Sequence, residues 1–195
     1  MTFRDLGRKL RAIMERGVLE PLPDAEFNDL ALEVFRFQCV ANGPYGAFVA
    51  RRGVDPETVS SWKEIPFLPT RAFKSMPLVA GNPEDAERVF RTSGTTMGSA
   101  TRGEHHVLDL ELYRRSLQGN FSEYVLGGMS KKVRVLCLLP SSEVAPESSL
   151  SFMMDQVVRT EGSSESGFFV RPGGEIDEPA FFLAVEEAEG GGEGV

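Results

Sequence analysis

Apolar side chains recur at helical spacing along the first part of the chain. Phe3, Leu6, Leu10, Ile13 and Met14 share one face and predict a helix that runs to about Gly17. A second helix is predicted from Asp24, read as its cap, with Phe27, Leu30, Ala31, Val34 and Phe35 on one side. The Gly43-Pro44 pair interrupts it, and a short helix follows from Tyr45 to Arg51. The prolines of 65–70 (IPFLPT) then favour an extended path over a helix. Residues 86–91 read as a short strand that runs into a Ser/Thr/Gly cluster beginning at Thr92.

Beyond that cluster the pattern alternates. Leu110, Tyr113, Leu117, Tyr124 and Val125 line one helical face, and Gly127-Gly128 ends the helix. Residues 133–139 (VRVLCLL) are apolar at nearly every position, as expected of a parallel strand covered on both faces. Leu150, Met153, Met154, Val157 and Val158 follow the spacing of an amphipathic helix, and 166–170 is a further short strand. Asp177, with Pro179 behind it, starts a last helix that reaches about Glu189. Strand-helix alternation of this kind implies an α/β layer with a parallel sheet. The chain then runs into GGGEGV. Val195 reads either as the first residue of a strand whose remainder is missing or as the end of a flexible glycine-rich tail.

Composition narrows the class. At 195 residues, 41% hydrophobic and 26% charged, the chain has the make-up of a globular protein with a real core. Its 29 acidic against 21 basic residues give a formal charge of −8, which argues against a nucleic-acid partner. No stretch has the roughly 18 consecutive apolar residues of a membrane span, and the charged N-terminus lacks the apolar core of a secretory signal. Cys39 and Cys137 lie in apolar runs without metal-ligand spacing, as reduced, buried side chains do. The expected location is the cytoplasm.

The chemically suggestive segment is 90–99 (FRTSGTTMGS). A phosphate chain needs several donors converging on it without side chains in the way. Glycines let backbone N–H groups turn inward, and Ser and Thr hydroxyls add donors. Placed between a strand and a helix, such a loop also gains from the helix N-terminus. Serine-, threonine- and glycine-rich clusters occur as plain turns as well. No lysine follows Gly98 as a GxxxxGK[ST] loop requires, and there is no G-x-S-x-G elbow. The two histidines, His105 and His106, stand shortly after the loop. Their titration range suits phosphate contact or proton transfer. One ring bonded locally and the other exposed accounts for the pair equally well. Adjacent side chains diverge on a strand or helix, so a paired metal site is not expected. Arg102 reads as a phosphate contact or a solvated loop residue, and Asp109 as a helix cap.

Thr92-Ser93-Gly94-Thr95-Thr96 resembles the phosphate-binding loop of the adenylate-forming superfamily, whose pattern is TSGTTG. Residues 102–113 (RGEHHVLDLELY) are similar to the segment that follows this loop in acyl-protein synthetases and phenylacetate–CoA ligases. Residues 65–74 (IPFLPTRAFK) resemble a proline-bracketed segment upstream of it. Order and approximate spacing agree over roughly 25–195, most closely with the LuxE-type acyl-protein synthetases. One departure falls in the loop, where Met97 stands at the expected glycine and Gly98 follows.

The resemblance implies an α/β fold. A helical N-terminal region over 1–60 would be followed over 61–195 by part of the parallel-sheet large domain of adenylate-forming enzymes, cut short. It implies ATP-dependent activation of a carboxylic (fatty) acid as an acyl-adenylate, then transfer to a protein cysteine. ATP and Mg²⁺ are the expected cofactors, and an acyl-acceptor protein or a reductase the expected partner. Thr92, Ser93, Gly94, Thr95, Thr96 and Gly98 would hold the phosphates, with His106 beside them. The family's adenine motif, ribose-binding Asp, catalytic Lys and acylated thiol would all lie past residue 195, so this chain alone is expected to be inactive. Transfer to coenzyme A, or a silent truncated binding module, are the alternative readings. A chain that ended here would leave an open sheet edge and an uncovered apolar face, which favours oligomerisation.

Overall fold

A computed structural model describes residues 2–92, 102–129 and 131–190. Among them are six α-helices and four short strands, a mixed α/β composition. The chain gathers into two compact units, Met1–Arg115 and Ser116–Val195.

The first unit begins with α1 (Phe3–Met14), capped by Thr2 and Asp5, each accepting from the other's backbone N–H. The helix stops at Met14, and Gly17 makes the turn at φ 91°. Next is α2 (Asp24–Ala41), which Asp24 does not cap. Pro23 holds the cap position with no side-chain bond, and Asp24 is the first helical residue, in the turn where a carboxylate complements the helix dipole.

Asn42 ends α2 and caps α3 (Gly43–Arg51), its Oδ1 accepting from Tyr45 N–H at 3.2 Å with Pro44 in the first turn. The expected break at Gly43-Pro44 is therefore a change of helix within a single cap. Leu32, Phe35, Val49 and Val59 form the buried cluster, with Cys39, Tyr45, Phe48, Val54 and Ile65 packed around it. The segment that follows is tied back to α2 through its backbone. Arg36 Nε donates to the Pro56 carbonyl at 3.3 Å. Asn28 donates to the Ser60 carbonyl at 3.1 Å and accepts from Trp62 N–H at 2.8 Å. Tyr45 Oη then donates to the Pro66 carbonyl at 2.5 Å. Residues 65–69 are extended, as the prolines demand, between 3-10 turns at Trp62–Glu64 and Thr70–Lys74.

Two strands, β1 (Arg88–Arg91) and β2 (Glu104–Val107), pair antiparallel. They are followed by α4 (Leu110–Tyr124), which leaves the first unit and enters the second. Asp109 caps α4 as expected, its Oδ1 accepting from Leu112 N–H at 2.8 Å, and its other oxygen takes Arg11 of α1. Tyr113 packs on Phe90 with ring centroids 5.5 Å apart. The predicted apolar face is not covered to its end: Tyr124 is 67% exposed, next to the turn where Gly127 and Gly128 take φ 63° and 67°.

In the second unit β3 (Leu136–Cys137) and β4 (Gly167–Phe168) pair in parallel, joined by α5 (Ser149–Glu161), and a parallel bridge links Val133 to Gly162. Parallel pairing is thus present, but over two residues per strand. The expected cover on both faces of 133–139 is not there: Cys137 is buried while Leu138 is 50% exposed. The predicted face of α5 is borne out in part: Val157 is buried and Met153, Met154 and Val158 are half-buried. Ser151 and Phe152 are buried as well, and Leu150 is exposed. The last helix, α6 (Glu178–Gly190), follows Asp177, which accepts from Ala180 N–H. Phe181 packs edge-on against Phe169 at 5.4 Å, Phe182 is 58% exposed, and Glu186 and Glu187 lie on the solvated side. Both cysteines are free. Burial pushes the Cys39 thiol pKa up, and burial with Asp155 nearby pushes that of Cys137 up to about 11.

The junction of α2 and α3 leaves no room for a side chain at Gly46. A Cβ there would stand 2.3 Å from the Cys39 carbonyl oxygen, whereas one on Gly43 meets nothing within 4 Å. Gly46→Ala is expected to lower unfolding stability by about 1–3 kcal/mol, the usual cost of overpacking. Gly43→Ala should change it by less than about 0.5 kcal/mol. Urea unfolding followed by circular dichroism distinguishes the two, and equal effects would contradict this packing.

Candidate functional site

The Ser/Thr/Gly run starts where β1 ends and precedes β2, so along the chain it joins two antiparallel strands. The expected strand-to-helix setting is corrected: α4 starts only at Leu110, after β2, and its N-terminus is occupied by Asp109 and by Glu87, whose Oε2 accepts from Leu110 N–H at 3.0 Å. The pairing register is Arg88 with Val107, Val89 with His106, Phe90 with His105 and Arg91 with Glu104. Side chains alternate across such a ribbon. Arg91, Glu104 and His106 therefore share one face, and Phe90 and His105 share the other.

Thr92 closes the hairpin stem. Its N–H donates to the Gly103 carbonyl at 2.9 Å, and its Oγ1 accepts from Gly103 N–H at 2.9 Å. Arg102 is tied to the hairpin stem. Its Nε donates to the Thr92 carbonyl at 2.6 Å and its Nη2 to the Arg91 carbonyl at 3.5 Å. At Gly103 the stem passes close to the Thr70–Lys74 turn. A Cβ on Gly103 would lie 3.2 Å from the Phe73 carbonyl oxygen.

On the charged face, Arg91 grips Glu104 Oε1 through Nε at 3.0 Å and Nη2 at 2.9 Å. That pairing, with help from His106, holds the Glu104 carboxyl below the usual carboxylate range. The other oxygen, Oε2, meets His106 Nε2 at 3.2 Å. The His106 side chain is only 10% exposed, and among the described residues its Nδ1 has no partner. His105, on the opposite face, keeps solvent access while its ring packs edge-on against Phe73 at 5.9 Å. Desolvation, with His106 adjacent, pushes its pKa below the ordinary imidazole value.

Of the residues the sequence singled out, Thr92 and His106 stand on this hairpin, linked through Arg91 and Glu104. Ser93, Gly94, Thr95, Thr96 and Gly98 lie outside the described residues. Of the stem, β1 falls within the expected strand over 86–91, whereas β2 was not anticipated, since Glu104, His105, His106 and Val107 carry no apolar-polar alternation. Among the described residues no cluster of three His, Cys, Asp or Glu side chains stands together to hold a metal ion. Nor is any helix among them long and apolar enough to cross a membrane. No family model matches the chain, and no curated protein or solved structure is significantly similar to it.

The stem makes Thr92 a structural residue as well as a candidate ligand. Gly103 is buried, so Thr92→Val, which keeps the shape but removes Oγ1, strands a buried N–H. It should cost about 1–3 kcal/mol. Thr92→Ser, which restores the oxygen, should recover most of that loss in the same denaturant titration. Equal stability of wild type and Thr92→Val would contradict the closure.

Proposed function

We propose that this chain supplies the phosphate-binding part of an enzyme that activates a carboxylic (fatty) acid with ATP and passes the acyl group to a protein thiol, in the manner of LuxE-type acyl-protein synthetases. The observation that carries the reading is the run TSGTTMGS beginning at Thr92, between two strands whose stem is locked by Thr92, Gly103 and Arg102. Fixed loop ends reduce the conformational entropy lost when donors order around a polyphosphate. Thr92 suits the ligand. It is exposed, and with Oγ1 accepting from Gly103 N–H its own hydroxyl hydrogen remains to donate.

In a reaction of this kind the carboxylate attacks the α-phosphorus and pyrophosphate departs with the growing negative charge. The part of this chain is to bind and orient the β- and γ-phosphates. Thr92, Ser93, Gly94, Thr95, Thr96 and Gly98 form the donor set, and donors fixed where charge accumulates lower the barrier. Magnesium would share that charge and would be held chiefly by the phosphates. Glu104, the carboxylate nearest the stem in sequence, is already committed to Arg91 and His106. Cys39 and Cys137 do not suit the acyl-accepting thiol, because burial raises both pKa values and a thiol reacts as its anion.

The reading is tested by calorimetric titration with Mg-ATP. Ser93→Ala combined with Thr95→Ala should weaken binding by at least about tenfold, since hydrogen bonds to charged groups contribute roughly 1.5–3 kcal/mol each. Unchanged affinity in the double variant would remove the phosphate-loop assignment.

A further inference from the structure

Charge is divided unevenly along the chain. Ser116–Val195, with 13 acidic and 5 basic residues, carries the whole formal charge of −8, and Met1–Arg115 has 16 of each. On α6 the imbalance is complete: Glu178, Glu186, Glu187 and Glu189 stand on the helix with no lysine or arginine. Two large apolar side chains face water among them, Phe182 and Leu183, each more than half exposed. Glu178 and Glu186 lie four residues to either side of Phe182. One ridge of the helix therefore reads carboxylate, aromatic ring, carboxylate over about 12 Å. An exposed apolar pair of this kind can anchor a helix in a groove, and the charges beside it select the partner.

The complement of that ridge is present in the first unit. A groove of about 580 Å³ opens where α3 meets the Thr70–Lys74 turn, with Phe48, Leu68, Ala72 and Met76 in its apolar lining. Arg71 and Lys74 stand at it too, both exposed and without an ion pair among the described residues. The Arg52 guanidinium lies over the Phe48 ring, 4.8 Å from its centroid. Among the described residues no aspartate or glutamate lines the groove. Elsewhere in this unit cations are held by carboxylates, as Arg11 is by Asp109 and Arg91 by Glu104. At the groove the cations stand without them.

We infer that the groove receives α6 of a second copy of this chain. Phe182 and Leu183 meet the apolar lining, and Glu178 and Glu186 meet Arg71 and Lys74. The two patches differ, so the contact is heterologous. A copy that gives its helix keeps its own groove free, and association continues past two chains or closes into a ring. Apolar burial drives the contact, while the charges steer it and are weakened by salt. No nucleotide takes part, so the failure of this contact and the failure of the ATP reading are separate results.

Sedimentation velocity of the whole chain, without nucleotide, provides the test. At about 0.05 M salt the weight-average mass should rise with concentration past that of two chains, and at about 0.5 M salt the rise should shrink. Arg71→Glu with Lys74→Glu reverses the groove's charge and leaves α6 intact; Phe182→Ala with Glu186→Lys does the opposite. Each double variant alone should stay a monomer. Mixed in equal amounts the two should pair, because one supplies the helix and the other the groove, and growth should stop at two chains. All four side chains are exposed, and circular dichroism establishes that the variants are folded. Arg71→Gln with Lys74→Gln serves if the glutamates unfold the turn. The proposal is overturned by a wild type that stays monomeric, which would leave α6 to a partner of another kind. It is equally overturned by either folded variant associating like wild type, or by a mixture that remains monomeric.

Discussion

The first unit depends on how closely α3 approaches α2. Gly46 sits against the Cys39 carbonyl, and with that contact made, Val49 reaches Leu32, Phe35 and Val59 in a common core. The approach also sets Tyr45 where its hydroxyl can hold the Pro66 carbonyl. Asn28 and Arg36 on α2 hold the backbone of the segment between α3 and Pro66 in the same way. One helix is therefore used twice, for a packed core and as the wall of a second open groove, lined by Phe27, Leu30 and Val34. Phe35 belongs to both.

The antiparallel hairpin obeys a different physics. It is short, and its integrity rests on closure at the open end rather than on ladder length. The reciprocal bonds of Thr92 and Gly103 extend the ladder, and Arg102 ties the same turn from outside. The Arg91–Glu104 pair on the solvated face adds little stability by itself, as exposed pairs do. It does lower the Glu104 pKa, while the other carboxylate oxygen meets His106 Nε2.

How much of this was legible in the sequence follows from which interactions are local. The helices were readable because their apolar periodicity and caps are written within a few residues, as with Asn42 before α3 and Asp109 before α4. Asp24 was misread as a cap because composition cannot show that Pro23 takes that backbone position. The parallel pairing of β3 and β4 was anticipated, but its extent and cover were not: Leu138 reads as core and is exposed, since an apolar run does not say how many strands will flank it. The face of α5 was read correctly at Val157 but not at its start, where Ser151 and Phe152 are buried and Leu150 is exposed. The candidate loop was recognisable by composition alone. Its setting was not, because β2 is made of Glu104, His105, His106 and Val107 and becomes a strand only through register with β1.

The central claim is that the hairpin stem and the run that follows Thr92 receive a nucleotide. Two-dimensional ¹H–¹⁵N spectra of the chain with and without Mg-ATP test it most directly. The account predicts concentration-dependent shifts at the amides of Thr92, Arg102, Gly103 and Glu104 and at the His106 ring, with α5 and α6 unmoved. A hairpin that stays silent at saturating nucleotide, or shifts concentrated in the second unit, would contradict it.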